Sequence, residues 1–188
     1  MAGKKIGILA LQGAFLEHEE AVRRCGAQAV QVRTAQELTQ VDGLIIPGGE
    51  STTIGKLLRK FELDVRIRKS SDAGLPIWGT CAGMILLAKE IAGIEQPHLG
   101  LMDIRVIRNA FGRQVDSFET EVEVKGLGTS RGVFIRAPYV EKVWGKAQTL
   151  ATLADRIVMV QQDNLLATAF HPELTQDLSI HQYFIEMT

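Results

Sequence analysis

The sequence predicts a single α/β domain over residues 1–188, with a mostly parallel sheet flanked by helices and antiparallel additions in its second half. Its length of 188 residues is close to the ~150 of one domain. Nearly continuous apolar runs alternate with segments of helical periodicity up to Gly93, the pattern of parallel strands covered on both faces. After Gly93 the runs become short and alternating, which favours antiparallel strands.

The first expected unit is strand, helix, strand. Residues 6–11 form an apolar run that predicts a buried strand. Helical spacing over residues 15–25 predicts a helix that ends at Gly26. Residues 29–32 then predict a second strand.

The same alternation continues along the chain. Thr34 and Glu37 have the spacing of a capping box, which predicts a short helix. Residues 43–46 predict a buried strand that stops at Pro47. The remaining expected helices lie at 52–61, 64–70, 82–91 and 176–187, and the remaining strands at 75–78, 103–107, 120–124, 133–135, 157–160 and 165–170.

Composition excludes several classes of function. The 21 Lys and Arg residues are balanced by 22 Asp and Glu, so there is no net positive field to hold nucleic acid. No apolar stretch approaches the ~18 residues of a membrane span. Two cysteines are too few for a disulfide framework and suit a reducing compartment. We therefore expect a soluble, cytoplasmic protein that binds neither nucleic acid nor membrane.

The segment Gly79-Thr80-Cys81-Ala82-Gly83 fits a nucleophile elbow, a sharp strand-to-helix turn that exposes its central residue. A predicted strand precedes it and a predicted helix follows it. Backbone N–H groups at the start of a helix favour the thiolate form of a cysteine. Cys81 is therefore the candidate nucleophile, whereas Cys25 ends an amphipathic helix and is interpreted as a packing residue.

A cysteine nucleophile needs a base, and the chain has four histidines to offer, namely His18, His98, His171 and His181. His171 ends a predicted strand at the sheet edge where active sites of α/β proteins collect. Glu173 lies two residues on, and an extended segment would put both side chains on one side, where the carboxylate could orient the imidazole. His98 is interpreted as a turn residue, and the other two as ordinary surface or packing residues.

A second turn, Pro47-Gly48-Gly49-Glu50-Ser51, also follows a buried strand and precedes a helix. It matches neither a Walker A loop nor a dinucleotide-binding fingerprint. Its glycines permit the N–H of Gly49 to point into a cleft, where it would form an oxyanion hole with the N–H of Ala82. A turn in which Ser51 caps the helix is an equally simple interpretation, and the two are compatible.

A cysteine acyl-transfer site suggests cleavage of an amide or an ester. An amino-acid substrate needs an anionic and a cationic partner, which Glu50 and either Arg108 or Arg136 could supply. Each arginine taken alone is more often a solvated surface residue. The chain lacks the Cys and His clusters of a zinc site.

Six segments together resemble the glutaminase subunits of pyridoxal 5'-phosphate synthase, a family within the class I, triad-type glutamine amidotransferases. The elbow and the His-x-Glu pair are shared across that class, and the similarity covers nearly the whole chain. The segments are Leu11-Gln12-Gly13, Pro47-Gly48-Gly49-Glu50-Ser51-Thr52, Trp78-Gly79-Thr80-Cys81-Ala82-Gly83, Asn109-Ala110-Phe111-Gly112-Arg113-Gln114, Phe134-Ile135-Arg136-Ala137-Pro138 and Phe170-His171-Pro172-Glu173-Leu174-Thr175.

The resemblance implies a flavodoxin-like fold in which Cys81 is the nucleophile, His171 the base and Glu173 its orienting carboxylate. One departure is Ser179, where the family pattern leads us to expect a basic residue. The residues that the resemblance places against glutamine are Gly49, Glu50, Ser51, Arg108, Ile135 and Arg136.

The implied reaction is hydrolysis of L-glutamine to L-glutamate and ammonia, without metal or cofactor. The ammonia would pass to the synthase subunit of pyridoxal 5'-phosphate synthase in a hetero-oligomer. Two alternatives remain at this point. One is another cysteine hydrolase of flavodoxin-like architecture, and the other is a catalytically silent module that serves as a scaffold or regulator.

Overall fold

The computed structural model describes residues 3–108 and 117–188, which contain twelve strands and six α-helices. The segment 109–114, which contributes to the resemblance, lies outside the described residues. The strands are β1 (Lys5–Leu9), β2 (Gln28–Val32), β3 (Gly43–Ile46), β4 (Ile77–Thr80), β5 (Ala88–Ile91), β6 (Met102–Ile107), β7 (Ser117–Val124), β8 (Gly128–Ile135), β9 (Tyr139–Val143), β10 (Gln148–Leu153), β11 (Arg156–Gln162) and β12 (Leu165–Thr168). The helices are α1 (Phe15–Arg24), α2 (Ala35–Leu38), α3 (Ser51–Lys60), α4 (Leu63–Asp72), α5 (Ala82–Leu87) and α6 (Ser179–Glu186).

Ten strands form one sheet in the order β2-β1-β3-β4-β12-β11-β9-β6-β5, with β10 paired to β11. From β2 to β12 all neighbours are parallel. Strands β3, β4 and β12 are buried along their whole length, because helices cover both faces of this half. The predicted α/β class with a mostly parallel, helix-flanked sheet is confirmed.

The second half adds the antiparallel pairs that the sequence predicted. Strand β11 runs antiparallel to β12, β9 and β10, while β6 runs antiparallel to β9. Strands β7 and β8 form a separate hairpin over Ser117–Ile135. Strands β9 and β10 were not predicted, because two charged residues lie side by side in β9 and the apolar residues of β10 do not alternate strictly with polar ones.

The predicted helix at 82–91 is wrong in its second half. Helix α5 ends at Leu87, and Ala88–Ile91 forms β5, which pairs in parallel with β6. The carbonyls of Leu86 and Leu87 accept hydrogen bonds from the N–H groups of Leu99 and Leu101 instead of from a further helical turn. Residues distant in sequence therefore decide where this helix stops.

Other boundaries shift by a few residues. Strand β1 ends at Leu9, so Leu11, the expected end of that strand, lies in the following loop with Gln12 and Gly13. The capping box of Thr34 and Glu37 is present, and Gly26 follows α1 with φ of 83°. Helix α3 already begins at Ser51, and Glu50 occupies the N-cap position, so the expected Ser51 cap is wrong.

No helix in the described ranges is both long and apolar enough to cross a membrane.

The carboxyl ends of β1, β3, β4 and β12 meet at one edge of the sheet. There the loop after β1 touches the loop after β3, since the Gly48 carbonyl accepts a hydrogen bond from the Ala14 N–H at 3.0 Å. A Cβ on Gly13 would lie 1.9 Å from that carbonyl oxygen, so only glycine permits this contact.

We predict that Gly83→Ala destabilises the protein although alanine favours helices. The added Cβ would lie 2.2 Å from the backbone oxygen of Ile46 in β3, which cannot move without disturbing the sheet. Such overpacking costs about 1–3 kcal/mol, or a fall of about 2–12 °C in Tm for a chain of this size. Thermal unfolding followed by circular dichroism measures it.

The matched control is Gly3→Ala, whose Cβ would meet nothing closer than 3.7 Å. An equal Tm for the two variants would contradict this account of the packing between α5 and β3.

Candidate active site

A cavity of about 370 Å³ opens at the carboxyl edge of the parallel strands. It is lined by Cys81, by His171 and by every residue that was expected to contact glutamine. The loop after β1, the loop after β3, the elbow after β4 and the turn after β12 each contribute to its wall. Its lining residues are Gln12, Gly13, Ala14, Gly48, Gly49, Glu50, Ser51, Cys81, Ala82, Ile85, Arg108, Ile135, Arg136, His171 and Leu174.

Cys81 occupies the predicted elbow between β4 and α5. Its φ of 49° and ψ of −99° are strained for a residue with a side chain. The turn is held by the Cys81 N–H, which donates to the Thr168 carbonyl at 2.8 Å. The thiol lies 4.0 Å from the Ile135 carbonyl, and its interaction with the His171 side chain raises the pKa of that imidazole. The strained turn therefore presents the sulfur to both the cavity and a base.

His171 follows β12, and its own N–H donates to the Val133 carbonyl in β8 at 2.8 Å. Its ring lies against Gly48, where a Cβ would come within 2.2 Å of Cε1. The Nδ1 atom lies 2.7 Å from Oε1 of Glu173. The two side chains meet as expected, but through the 3-10 turn Pro172–Leu174, so the prediction of an extended segment here is wrong.

The electrostatics of this pair favour an imidazolium beside a carboxylate. Burial by itself would lower the pKa of His171, but hydrogen bonds to Cys81 and Glu173 outweigh it and raise that pKa to about 10. The Glu173 side chain is completely buried, which would raise its pKa, yet neighbouring His18 and His171 hold the pKa below its usual value. Glu173 therefore remains charged although it has no contact with solvent.

The expected glutamine-binding residues are brought together at the other end of the cavity. Arg108 forms an ion pair with Glu50 at 3.2 Å, and the side chain of Arg136 lies in the same wall. A hydrogen bond from the Thr52 hydroxyl, with help from both arginines, lowers the pKa of Glu50. Both signs of charge are thus available to a zwitterionic substrate.

Two glutamines in this region were missed by the sequence analysis. Gln96 is buried and its Oε1 accepts from Ser51 at 3.2 Å and from Arg108 at 3.0 Å, so that it links two expected binding residues. Gln12 accepts from the Glu50 N–H at 2.8 Å through Oε1. Gln12 could have been predicted as a site residue, because Leu11-Gln12-Gly13 is one of the segments that carry the family resemblance. No local sequence pattern distinguishes Gln96.

Gly49 and Ala82, the expected oxyanion-hole residues, both line the cavity with Cys81. Neither Gly48 nor Gly49 adopts a left-handed φ. Glycine is needed at these positions for space, because a Cβ on Gly49 would lie 2.5 Å from the Gln12 side chain and 3.1 Å from Gly13.

Ser179 stands where the resemblance led us to expect a basic residue. Asp177 instead accepts from the N–H groups of Ser179 and Arg131 and from the hydroxyl of Ser130. The Asp177 carboxylate is thus held without a cation at position 179.

Among the described residues, no group of three His, Cys, Asp or Glu side chains could hold a metal ion.

Comparison with known proteins identifies the family. The model of the SNO glutamine amidotransferase family matches residues 8–188. The chain belongs to this family. A relative from Carboxydothermus hydrogenoformans, named pyridoxal 5'-phosphate synthase subunit PdxT, is 58% identical over 97% of this chain and 96% of its own. A relative of the same name from Herpetosiphon aurantiacus is 59% identical over 96% of this chain and 98% of its own.

Solved structures agree with this assignment. A crystal structure of a glutamine amidotransferase, 52% identical, superposes with a TM-score of 0.94 over 97% of both chains. A chain in the structure of PurLQS from Thermotoga maritima is 15% identical with a TM-score of 0.71 over 98% of both chains, which shows the shared fold alone. The expected glutamine amidotransferase is confirmed, and a different class of cysteine hydrolase is excluded.

We predict that an electrophilic analogue of glutamine labels Cys81 and spares Cys25. Cys81 lies in the cavity against His171, whereas burial at the end of α1 raises the pKa of Cys25 and leaves less thiolate. Peptide mass spectrometry locates the adduct, and excess glutamine should suppress it. Equal labelling of Cys25, or labelling that glutamine does not slow, would contradict the assignment of the nucleophile.

Proposed function

We propose that Cys81, His171 and Glu173 form a catalytic triad that hydrolyses the side-chain amide of glutamine. The contact that supports this most directly is the one between His171 Nδ1 and the buried Glu173 carboxylate at 2.7 Å, on an imidazole that shares the cavity wall with the Cys81 thiol. Of the three proposed triad residues, Cys81 and His171 line the cavity and Glu173 does not. The reacting bond of the substrate therefore lies beside the thiol and the imidazole. The whole chain, 1–188, acts as one glutamine amidotransferase domain.

The reaction begins with the thiol proton held on His171, as the imidazolium that its raised pKa favours, and the Cys81 sulfur then attacks the amide carbon. His171 then donates this proton to the departing nitrogen, and ammonia leaves while a thioester remains. Water next attacks the thioester carbonyl, His171 takes a proton from that water, and the sulfur leaves and regains the proton. Glutamate is released and the free thiol is restored. Glu173 accepts from His171 throughout, which fixes the tautomer and stabilises the imidazolium.

Glutamine is recognised by charge at one end and by backbone groups at the other. Glu50 binds the ammonium group, and Arg108 and Arg136 bind the carboxylate. Their mutual ion pair keeps both side chains in the wall before substrate arrives. Ser51 and the backbone at Gly49 and Ile135 line the path from this end to the sulfur.

The negative oxygen that develops during attack needs donors that are already in place. The N–H groups of Gly49 and Ala82 are proposed for this role. The Gly48 carbonyl accepts from Ala14, and in a trans peptide this turns the Gly49 N–H to the opposite face. The loop after β1 therefore orients the donor.

The close relatives are named subunits of pyridoxal 5'-phosphate synthase, and this chain is the glutaminase subunit of such an enzyme. Free ammonia would largely become ammonium in neutral water, and ammonium is not a nucleophile. We infer that the ammonia passes directly to a synthase subunit bound to this one. We also propose that the enzyme works in the cytoplasm, where a reducing environment preserves the Cys81 thiol.

We predict that Cys81→Ala abolishes glutamine-dependent formation of pyridoxal 5'-phosphate by the assembled enzyme. Synthesis from ammonium salts should continue, since the thiol only generates ammonia. The product's absorbance measures both reactions, and Cys25→Ala is the control that should keep both. Failure of ammonium to support a correctly assembled Cys81→Ala complex would overturn the proposed division of labour.

We further predict that Gly49→Val slows glutamine hydrolysis in the complex about 100- to 1,000-fold, the usual cost of losing one oxyanion donor. The new side chain would collide with Gln12 and Gly13 and displace the peptide that carries the N–H. Turnover should fall far more than KM for glutamine rises, as measured by glutamate release. Gly3→Val, where a Cβ would make only an ordinary contact of 3.7 Å, is the control, and unchanged turnover of Gly49→Val would rule out this donor.

A further inference from the structure

Two buried histidines lie behind the triad, on the side of Glu173 away from His171. His18 from α1 and His181 from α6 are both completely inaccessible to solvent. Nε2 of His18 lies 3.5 Å from Oε2 of Glu173 and 3.2 Å from the Thr80 hydroxyl. Nδ1 of His18 lies 3.0 Å from Nε2 of His181. The polar chain that begins at Cys81 therefore continues past Glu173 into the core.

Packing fixes both rings in place. Trp78 in β4 meets each of them edge to face, with ring centroids 5.4 Å from His18 and 4.9 Å from His181. Burial lowers the pKa of His18, and together with the neighbouring His18 it lowers the pKa of His181 to about 3. Both rings are neutral at physiological pH, so each carries one N–H.

The position of these two protons follows from the neighbours. In the hydrogen bond between the two rings, one nitrogen donates its N–H and the other accepts with its lone pair. If His181 donates from Nε2, His18 accepts at Nδ1 and carries its own N–H on Nε2, facing a carboxylate and a hydroxyl. The reverse arrangement would aim the lone pair of His18 at the anionic Glu173. It would also leave an N–H on Nδ1 of His181, an atom with no hydrogen-bond partner among the described residues. The first arrangement is therefore preferred.

Glu173 needs a neighbour on its second oxygen. Oε1 accepts from His171, but Oε2 is buried and lacks any hydrogen-bond partner in the part of the chain that the structure describes. Nε2 of His18 faces Oε2 at 3.5 Å. A buried charge without such a partner is costly, and a carboxylate free to rotate would lose its alignment with His171.

We propose that His18, held as its Nε2–H tautomer by His181, is a positioning residue that orients Glu173 so that Oε1 meets His171. This rests on the proposed function, because it assigns His18 a role only through the triad. His18 is not itself a catalytic residue, since it lies outside the cavity lining and has no contact with the substrate space.

The charged and titratable groups that face the pair come from three elements. Glu17 and Arg24 belong to α1, His171 and Glu173 to the segment after β12, and Asp177 to the loop before α6. Glu173 contacts His18, whereas the other groups act on the pair through longer-range electrostatics. A pH effect of replacing His18 therefore reports mainly on Glu173 and His171.

The test compares His18→Leu, His18→Gln and His18→Asn in the full chain assembled with its synthase subunit, by steady-state glutamate release from pH 5 to pH 9. Leucine removes the donor, glutamine places an amide N–H where Nε2 stood, and asparagine reaches only the position of Nδ1. His18→Leu should lower kcat about ten- to a hundredfold with KM changed less than about twofold, because the polar contact that positions the buried carboxylate is lost. His18→Gln should recover most of kcat, and His18→Asn should not.

The pH profile separates positioning from packing. Without the donor the pKa of Glu173 rises, so its charge is lost at a higher pH and the acid limb of kcat/KM should move upward in His18→Leu and His18→Asn. His18→Gln should shift it less. Phe184→Leu is the packing control, since Phe184 also contacts Trp78 but carries no polar atom, and its acid limb should not move.

Equal kcat for the glutamine and asparagine variants, or an acid limb that stays in place in both His18→Leu and His18→Asn, would overturn the proposal. If His18→Leu does not fold, the comparison of the glutamine and asparagine variants still decides it. Cys81→Ala is measured in parallel. Full activity of Cys81→Ala would reject the triad itself, whereas an inactive Cys81→Ala beside a fully active His18→Asn rejects only the role of His18.

Discussion

The arrangement of the active site depends on one strained turn, the elbow at Cys81 with its φ of 49°. The turn is possible because glycines flank it and let three backbone segments come close. A Cβ on Gly79 would lie 2.4 Å from the Gly83 carbonyl carbon, and one on Gly83 would lie 2.2 Å from the Ile46 oxygen. The hydrogen bond from the Cys81 N–H to Thr168 joins this turn to β12, the strand that leads to His171. The proposed nucleophile and base are therefore positioned by the same parallel pair of strands.

The active site also depends on a charged Glu173 side chain that is buried in the protein. A carboxylate without solvent is stable only when both oxygens face donors, and the fold supplies an imidazole on each side. The two imidazoles differ in environment. His171 lies beside a thiol and a carboxylate, which raise its pKa to about 10, whereas burial keeps His18 neutral. One histidine can therefore carry a proton through the reaction while the other supplies a fixed dipole.

Much of this was readable in the sequence because its causes are local. The glycines around Cys81, the His-x-Glu spacing and the alternation of apolar runs with helical segments each specify a short piece of backbone. The same reasoning failed at Ala88–Ile91, where helical periodicity continues but the carbonyls of Leu86 and Leu87 bond to a later loop. It also failed for Gln96, which only packing brings to Ser51 and Arg108.

The sequence by itself determined the α/β alternation, the elbow that exposes Cys81 and the pairing of His171 with Glu173 two residues away. Only the tertiary structure decided what lies behind that pair. His18 was interpreted from its acidic surroundings as a surface or packing residue, but it is buried and contacts His181, which is 163 positions away in the chain. Local patterns report which face of an element is apolar, whereas the partner of a buried polar atom is fixed by the packing of elements far apart in sequence.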